Sequence, residues 1–218
     1  MKIVIVGNSD FAMLLYDYLK DSRDMEVLAF SVEDKYINEK QICGIPVISY
    51  EEIQNKYSNQ EVKLILGVGY SKMHDIKSQL YKLYSDKGYK FTNYIHSSAI
   101  VAPDVEIGDG NVILEGVIIE RQSHIGNGNL FFGGSVVGHN NVLGNFNTLS
   151  IRAATAGFVT IADKCFLGIN AVVRDKIKIE SHSLIGAGAY VDCNLKEYEV
   201  IVPAKSVVLE DKKSIDFM

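Results

Sequence analysis

Histidine is the side chain in this 218-residue sequence that best suits proton transfer, because an imidazole titrates near neutral pH. The chain has five histidines, which lie far apart: His74, His96, His124, His139 and His182. A zinc enzyme built on three histidines would need closely spaced pairs, and the sequence contains none. The pattern therefore favours proton transfer without a metal, and structural or solvated roles for the histidines that do not take part.

Two glycine loops are the second chemical feature. Gly7-Asn8-Ser9 and Gly67-Val68-Gly69-Tyr70-Ser71 each follow an apolar run and precede a helical pattern, the setting in which α/β sheets bind nucleotides. The first loop lacks the G-x-G-x-x-G pattern, so we expect a mononucleotide-like ligand; the alternative is a plain turn capped by Ser9 or Asp10. Asp34 and Lys35 follow the second predicted strand and are expected to line the same crevice as the two loops. The predicted ligand contacts are therefore Gly7, Asn8, Ser9, Asp34, Lys35, Gly69 and Tyr70.

The elements that must position these loops alternate between strand and helix. Strands are predicted at 2–6, 26–32 and 63–68, and helices at 12–19, 51–56 and 72–87. The apolar side of the last helix is predicted to be Met73, Ile76, Leu80, Leu83 and Tyr84. Such alternation indicates a parallel sheet with crossover helices, so residues 1–94 are predicted to form a small Rossmann-like α/β domain.

A strict six-residue period runs from Ile95 to Lys196 without insertion or deletion. Every block opens with a large apolar residue except the one that opens with Thr155, and the fifth position is mostly small or narrow. Hexapeptide periodicity is typical of a parallel β-helix, in which three blocks make one coil and the openers stack inside. Residues 95–218 are therefore predicted to be a β-helix domain with a C-terminal tail.

Composition narrows the class of protein further. The net charge of −5 argues against nucleic acid and anionic membranes as partners, and 47% hydrophobic content fits a globular chain. The first residues do not resemble a secretion signal, so we expect a cytoplasmic protein without membrane insertion. Cys43, Cys165 and Cys193 are odd in number and widely spaced, which favours buried free thiols.

The order of a small Rossmann-like domain, an uninterrupted hexapeptide β-helix and a short tail with Val202-Pro203-Ala204-Lys205 resembles the sialic acid O-acetyltransferase and bacillosamine N-acetyltransferase family. The resemblance covers nearly the whole chain. It implies a left-handed β-helix, a homotrimer, and acetyl-CoA bound in the groove between neighbouring subunits. It also implies that the N-terminal domain holds a nucleotide-linked sugar and that a histidine on a coil edge is the general base.

The resemblance assigns the catalytic role to His139, with Asn140 beside it, in the segment Val137-Gly138-His139-Asn140. The family usually has an acidic residue where Asn140 stands, an Asn where Phe132 stands, and a second histidine in the stretch that here ends with Arg152. Arg152 is instead predicted to pair with a phosphate of the CoA or the substrate. These departures keep open an altered acceptor or a non-catalytic, trimeric sugar-nucleotide-binding protein.

The resemblance also implies a donor site along coil edges that carry little bulk. A pantetheine arm needs such a groove, because its amides pair with strand backbone. The alternative for each glycine is that it only satisfies the corner geometry of the coil. The predicted acetyl-CoA contacts are Gly157, Gly168, Ile169, Asn170, Gly186, Ala187 and Lys205.

Together these features predict an enzyme that moves an acetyl group from acetyl-CoA to an amino, or hydroxyl, group of a nucleotide-linked sugar in surface glycan biosynthesis. An amine acceptor is favoured because the N-terminal domain suits a sugar nucleotide. The alternatives are an O-acetyltransferase of sialic acid or a related free sugar, and the non-catalytic binding protein.

Overall fold

The structure is a computed structural model of the chain, and it describes residues 1–206 and Ile215. The other residues of the predicted 95–218 domain, 207–214 and 216–218, lie outside the described part. The N-terminal part contains strands Lys2–Val6 (β1), Glu26–Val32 (β2), Gln41–Ile42 (β3), Ile45–Ser49 (β4) and Val62–Leu66 (β5). Its helices are Asp10–Lys20 (α1), Ile53–Lys56 (α2) and Asp75–Asp86 (α3), with 3-10 turns at Asp34–Tyr36 and Ser71–His74.

The N-terminal sheet is ordered β3-β4-β2-β1-β5, and all neighbouring pairs are parallel except β3 with β4. Strand β1 is central, and its residues from Ile3 to Val6 are fully buried. Burial on both faces is what a parallel sheet covered by helices requires, and it explains why the run is continuously apolar. Helix α1 covers the sheet with Ala12, Leu15 and Leu19.

Two N-terminal predictions differ from the structure. Strand β4 is not among the predicted elements, and the structure places it between β3 and β2. Pro46 is tolerated there because it precedes the pairing with β2, which begins at Val47. Helix α3 begins at Asp75 rather than at position 72, because Lys72, Met73 and His74 have left-handed φ angles of 50°, 47° and 67°. Its buried face is consequently Lys77, Leu80 and Tyr84, while Ile76 and Leu83 are exposed.

The rest of the described chain is a parallel β-helix of two-residue strands, as the hexapeptide period predicted, and it is left-handed, as the family resemblance implied. Face 1 contains Tyr94–Ile95 (β6), Val112–Ile113 (β9), Leu130–Phe131 (β12), Thr148–Leu149 (β15), Phe166–Leu167 (β18), Leu184–Ile185 (β21) and Val200–Ile201 (β23). Face 2 contains Ile100–Val101 (β7), Ile118–Ile119 (β10), Val136–Val137 (β13), Ala154–Thr155 (β16), Val172–Val173 (β19) and Tyr190–Val191 (β22). Face 3 contains Glu106–Ile107 (β8), His124–Ile125 (β11), Val142–Leu143 (β14), Thr160–Ile161 (β17) and Lys178–Ile179 (β20).

Block openers point inward and are buried from Ile113 to Val191, which confirms the predicted stacking. The six-residue frame ends there, because the next inward residue is Leu195 rather than position 197. Small or narrow residues at the fifth position are buried beside the openers. Among them, Asn111, Asn129 and Asn147 form a ladder in which each Oδ1 accepts the backbone N–H of the residue one coil onward, at 2.7–2.8 Å. The ladder satisfies buried polar groups that a coil corner would otherwise leave unpaired.

The N-terminal domain packs on face 1. Val112, Leu114 and Leu130 of the β-helix belong to the same buried cluster as the N-terminal sheet. Aromatic residues continue the contact, with Phe11 against Phe132 at a ring-centroid distance of 6.1 Å. Face 1 is therefore covered, whereas faces 2 and 3 are left to solvent in the single chain. No helix in the described part of the chain is both long and apolar enough to cross a lipid bilayer.

Candidate active site

The two glycine loops line one cleft of about 620 Å³ at the carboxyl ends of β1 and β5. Ser9 ties them together, because its hydroxyl donates to the Gly67 carbonyl oxygen at 3.1 Å. Ser9 caps α1 by position only, since its side chain makes no capping hydrogen bond. The predicted residues Gly7, Asn8, Ser9, Gly69 and Tyr70 all line the cleft.

Glycine is required at the back of this cleft. A Cβ on Gly67 would lie 2.6 Å from Ile5 Cγ2 and 2.8 Å from Ala12 Cβ, so only glycine lets α1 pack against the sheet here. A Cβ on Gly69 would meet nothing within 4 Å. Gly69 therefore leaves open space for a ligand, whereas Gly67 is needed for the packing of α1 against the sheet.

The third wall of the cleft differs from the prediction. Asp34 and Lys35 lie on an exposed 3-10 turn, and Lys35 pairs with Glu33 at 2.6 Å, outside the residues that line the cleft. Tyr36, the next residue, lines it instead, and Asn8 Nδ2 donates to the Tyr36 carbonyl oxygen at 3.0 Å. The sequence pointed to the correct turn but not to the residue of that turn that faces inward.

His139 lies elsewhere, on the coil edge that joins faces 2 and 3, which we call edge B. It borders an apolar groove of about 370 Å³ on face 2, lined also by Ile100, Ile118, Glu120 and Arg121. The His139 backbone N–H donates to Glu120 Oε2 at 2.9 Å. His139 is exposed, so its ring can meet a substrate directly.

The ring of His139 is held by Asn140. Its Nδ1 lies 2.9 Å from Asn140 Oδ1, and an amide oxygen can only accept, so Nδ1 carries the proton. The other ring nitrogen, Nε2, is then the unprotonated one in the neutral ring. Asn140 thus orients the ring of His139 without the charge that an acidic residue would add.

Gly157 has a clear function beside this ring. A Cβ there would lie 2.5 Å from His139 Cε1 and 2.6 Å from Nε2, which no side chain could occupy without moving the imidazole. The next residue, Phe158, packs edge-on against the ring at a centroid distance of 5.1 Å. Gly157 was predicted to contact the donor, and the structure places it one coil above His139, where it makes room for the ring.

Thr155 anchors the turn that carries His139. It is the one opener that is not large and apolar, and its Oγ1 accepts from Asn141 Nδ2 at 2.6 Å and from the Gly138 backbone N–H at 3.2 Å. The break in the hexapeptide rule therefore lies one coil above Val137, beside the turn that carries the catalytic candidate. The sequence contained this signal, but its meaning depends on which residues stack on Thr155.

The remaining predicted donor residues lie on the other side of face 2. Gly168, Ile169, Asn170, Gly186 and Ala187 form turns on the edge that joins faces 1 and 2, which we call edge A. A Cβ on Gly168 would lie 2.5 Å from the Ala187 backbone nitrogen, so this glycine is needed for coil stacking. Ile169 and Asn170 are exposed on this edge, and Lys205 is exposed in the tail.

Two of the three positions where the chain departs from the family pattern, Phe132 and Arg152, also lie on edge A, and the third, Asn140, lies on edge B. Arg152 is exposed there, with a left-handed φ of 56°. Phe132 packs against Phe11, which itself lines the N-terminal cleft. Phe132 therefore fixes the cleft loop to the β-helix. One chain thus has the cleft beside edge A and His139 on edge B, and the two do not meet.

The other histidines and the cysteines take structural positions, with corrections to three of them. His74 was expected to be solvated, but it is fully buried, and burial lowers its pKa to about 3. Cys43 and Cys193 were expected to be buried and are exposed, whereas Cys165 is buried, which raises the pKa of its thiol to about 12. The described residues contain no group of three or more His, Cys, Asp or Glu side chains that could hold a metal ion.

Residues 2–79 match the family described as the PglD N-terminal domain. A variant of perosamine N-acetyltransferase from Caulobacter crescentus, solved in complex with CoA and GDP-perosamine, is 26% identical and has a TM-score of 0.83, over 93% of this chain and 94% of that one. The acetyltransferase domain of PglB from Neisseria gonorrhoeae, solved with acetyl coenzyme A, is 23% identical with a TM-score of 0.79, over 94% and 98% of the two chains.

WeeI from Acinetobacter baumannii is 20% identical with a TM-score of 0.81, over 93% of this chain and 97% of its own. At these identities, the similarities to PglB and WeeI show the fold alone. All three similarities extend over both the α/β domain and the β-helix. The N-terminal part of the chain therefore matches the PglD N-terminal domain family, and the chain as a whole shares the fold of the perosamine N-acetyltransferase.

Proposed function

We propose that this protein is an acetyl-CoA-dependent N-acetyltransferase that acts on the amino group of a nucleotide-linked sugar. The observation that carries the proposal is the exposed imidazole of His139, whose Nδ1 is held by Asn140 so that Nε2 is free to accept a proton. Similarity to a perosamine N-acetyltransferase solved with CoA and GDP-perosamine supports both substrates.

The residues suit acyl transfer from a thioester to an amine. As the amine nitrogen attacks the thioester carbonyl carbon, a C–N bond forms and the C–S bond breaks. The nitrogen loses a proton to His139 Nε2, and the imidazolium then gives that proton to the departing CoA thiolate. A neutral imidazole with Nε2 unprotonated is the form that can take that proton.

We propose that the complete site forms between two copies of the chain. If three copies surround an axis parallel to the β-helix with face 2 inward, edge A of one copy adjoins edge B of the next. His139 of one copy then meets the N-terminal cleft of its neighbour, since Phe132 and Phe11 fix that cleft beside edge A. Exposed residues of edge A, among them Ile169 and Arg152, would then line the same groove and suit the acetyl-CoA.

The character of face 2 supports a homotrimer. Its outward side chains are all apolar: Ile100, Ile118, Val136, Ala154, Val172 and Tyr190. Those of face 3 include Glu106, His124 and Lys178, and face 1 is already covered by the N-terminal domain. A continuous apolar row of this kind is typical of a surface that another subunit covers.

The cleft suits the nucleotide part of the acceptor. Tyr36 and Tyr70 line it and are about half exposed, at 52% and 51%, so their rings are available to a base or sugar. An N-acetylated sugar nucleotide is an activated donor for glycan assembly, and we place the reaction in surface polysaccharide biosynthesis in the cytoplasm, where both substrates are made.

The direct test is transfer of acetyl groups from acetyl-CoA to a panel of UDP-, GDP- and dTDP-linked amino sugars, with CoA release and product mass as readouts. We expect turnover with one nucleotide class, lost by at least ~100-fold in His139→Ala with acetyl-CoA affinity kept. Acetylation of free sialic acid at oxygen would select the O-acetyltransferase alternative. Thermal stabilisation by a sugar nucleotide without acetyl-CoA binding or turnover would select the non-catalytic binding protein.

A further inference from the structure

We propose that Gln122 is a positioning residue that sets the tautomer of His139 through Asn140. The proposal rests on the proposed function for its catalytic consequence, but the tautomer itself is a property of the free protein. Gln122 lies outside the site residues predicted from the sequence. It occupies the coil before His139, on edge B.

Stacking of the coils brings the three side chains into a chain of hydrogen bonds. Gln122 and Asn140 occupy equivalent corner positions, 18 residues apart, with left-handed φ angles of 59° and 57°. Asn140 Nδ2 donates to Gln122 Oε1 at 2.7 Å, and His139 Nδ1 lies 2.9 Å from Asn140 Oδ1. The β-helix repeat therefore aligns the Gln122 side chain with that of Asn140.

The direction of these bonds matters because an amide has one donor end and one acceptor end. With Asn140 Nδ2 facing Gln122, Oδ1 must face the imidazole, so Nδ1 carries the proton and Nε2 is bare. If the amide of Asn140 turned over, its NH₂ group would face Nδ1. The neutral ring would then carry its proton on Nε2, where it blocks acceptance of the proton from the acceptor amine.

This relay is neutral throughout. Glu120 is the carboxylate next to His139, and it accepts the backbone N–H rather than a ring nitrogen. An acidic residue beside the imidazole could only accept, so it would set the tautomer alone. Asn140 can present either end, and the group on its other side decides which end faces the ring. In the structure Gln122 places its acceptor, Oε1, against Asn140 Nδ2 and so keeps Oδ1 towards the imidazole.

The test reverses the polarity of the relay at Gln122. Gln122→Glu presents only acceptors, and we expect it to keep the Nδ1–H tautomer and wild-type kcat within about threefold. Gln122→Lys presents only donors, so Asn140 Oδ1 should turn to the ammonium and its NH₂ group to the ring. We expect this variant to populate the Nε2–H tautomer and to lose at least ~10-fold in kcat with unchanged KM for both substrates.

The tautomer is read from the ring ¹⁵N–¹H correlations of His139, assigned by comparison with His139→Ala, and this readout needs no acyl acceptor. Lys176→Leu is the control, because Lys176 occupies the corner position equivalent to Gln122 and Asn140 in a later coil, with a left-handed φ of 61°. We expect this variant to have wild-type spectra and kcat. A ring tautomer that stays the same in Gln122→Glu and Gln122→Lys would overturn the relay. The predicted tautomers in a protein without acetyl transfer would instead overturn the proposed function.

Discussion

Small and polar neighbours hold the imidazole of His139 in a position where it can accept a proton. Its predicted role came from a family resemblance at the segment Gly138-His139-Asn140, since a lone histidine in a turn carries no further signal of its own. The groups that hold it were not visible in the same way. Gly157 and Gln122 are one coil away, so their relation to His139 requires the stacking register as well as the six-residue period.

Gly157→Ala tests the space that the imidazole needs. The added methyl would lie 2.5 Å from His139 Cε1, so the ring must move, and we expect kcat to fall by at least ~10-fold with little loss of stability. Gly133→Ala is the matched control, because that corner glycine offers its Cβ a contact of 3.4 Å to a carbonyl oxygen. Equal kinetics for the two variants would show that the ring does not depend on Gly157.

Thr155→Val tests why one opener is not large and apolar. The substitution keeps the shape but removes the acceptor of Asn141 Nδ2, whereas the Gly138 N–H keeps its bond to the Thr155 carbonyl oxygen. Leaving a buried donor unpaired costs about 1–3 kcal/mol, so we expect a lower midpoint of denaturant unfolding. Thr160→Val, at an outward strand position of face 3, is the control and should change stability by less than about 0.5 kcal/mol. A stable Thr155→Val protein would contradict the anchoring role.

At the scale of elements, periodicity predicted the β-helix well because each coil repeats the same physical requirement every six residues. Helix α3 was less predictable. Its apolar spacing suggested a start at position 72, but the left-handed residues Lys72, Met73 and His74 delay the helix and rotate its buried face. Tertiary contacts with the β-helix then decide burial, which is why Lys77 is buried and Leu83 is exposed.

Buried Lys77 makes the contact between α3 and the β-helix sensitive to pH. Within residues 1–206 its Nζ reaches only the Gly128 carbonyl oxygen, at 3.5 Å, and burial lowers its pKa to about 7. Below that pH the folded and unfolded chains both carry the proton, and the cost of burying the ammonium is fully present. Between about pH 7 and pH 10 only the unfolded chain keeps it, so stability rises with pH.

Lys77→Met should therefore raise the melting temperature at about pH 6.5, by at least ~3 °C, and by less at about pH 9.5. Differential scanning calorimetry at the two pH values measures the effect. Lys82→Met, an exposed position on the same helix, serves as the control and should show no such pH dependence. A gain for Lys77→Met that is equal at both pH values would mean that the lysine is not neutralised on folding.

At the scale of the whole molecule, the two parts of the proposed site lie on different surfaces of a single chain. The N-terminal domain covers face 1, the cleft lies beside edge A, and His139 lies on edge B. The sequence could predict both halves, the cleft loops from their local pattern and His139 from the family resemblance. It could not show that they lie on separate surfaces, since that depends on which face the α/β domain covers.

Val172→Glu tests the role of face 2 in assembly. Val172 is 40% exposed there, and a carboxylate in an apolar interface between copies would remain unpaired, so we expect the trimer to dissociate at micromolar concentration. Val142→Glu on face 3, where Val142 is 46% exposed, is the matched control and should stay trimeric in light scattering. Trimers from both variants, or monomers from the wild type, would contradict the proposed packing of face 2.

Complementation between two inactive variants tests most directly that His139 of one copy serves the cleft of the next. His139→Ala removes the base, and Gly69→Phe fills the cleft without a backbone collision, since a Cβ there meets nothing within 4 Å. Each variant alone should lack acetyl transfer. Trimers assembled from an equal mixture should regain about one quarter of wild-type activity, because that fraction of shared sites combines two intact halves. Mixed trimers that stay inactive would contradict a site built between copies.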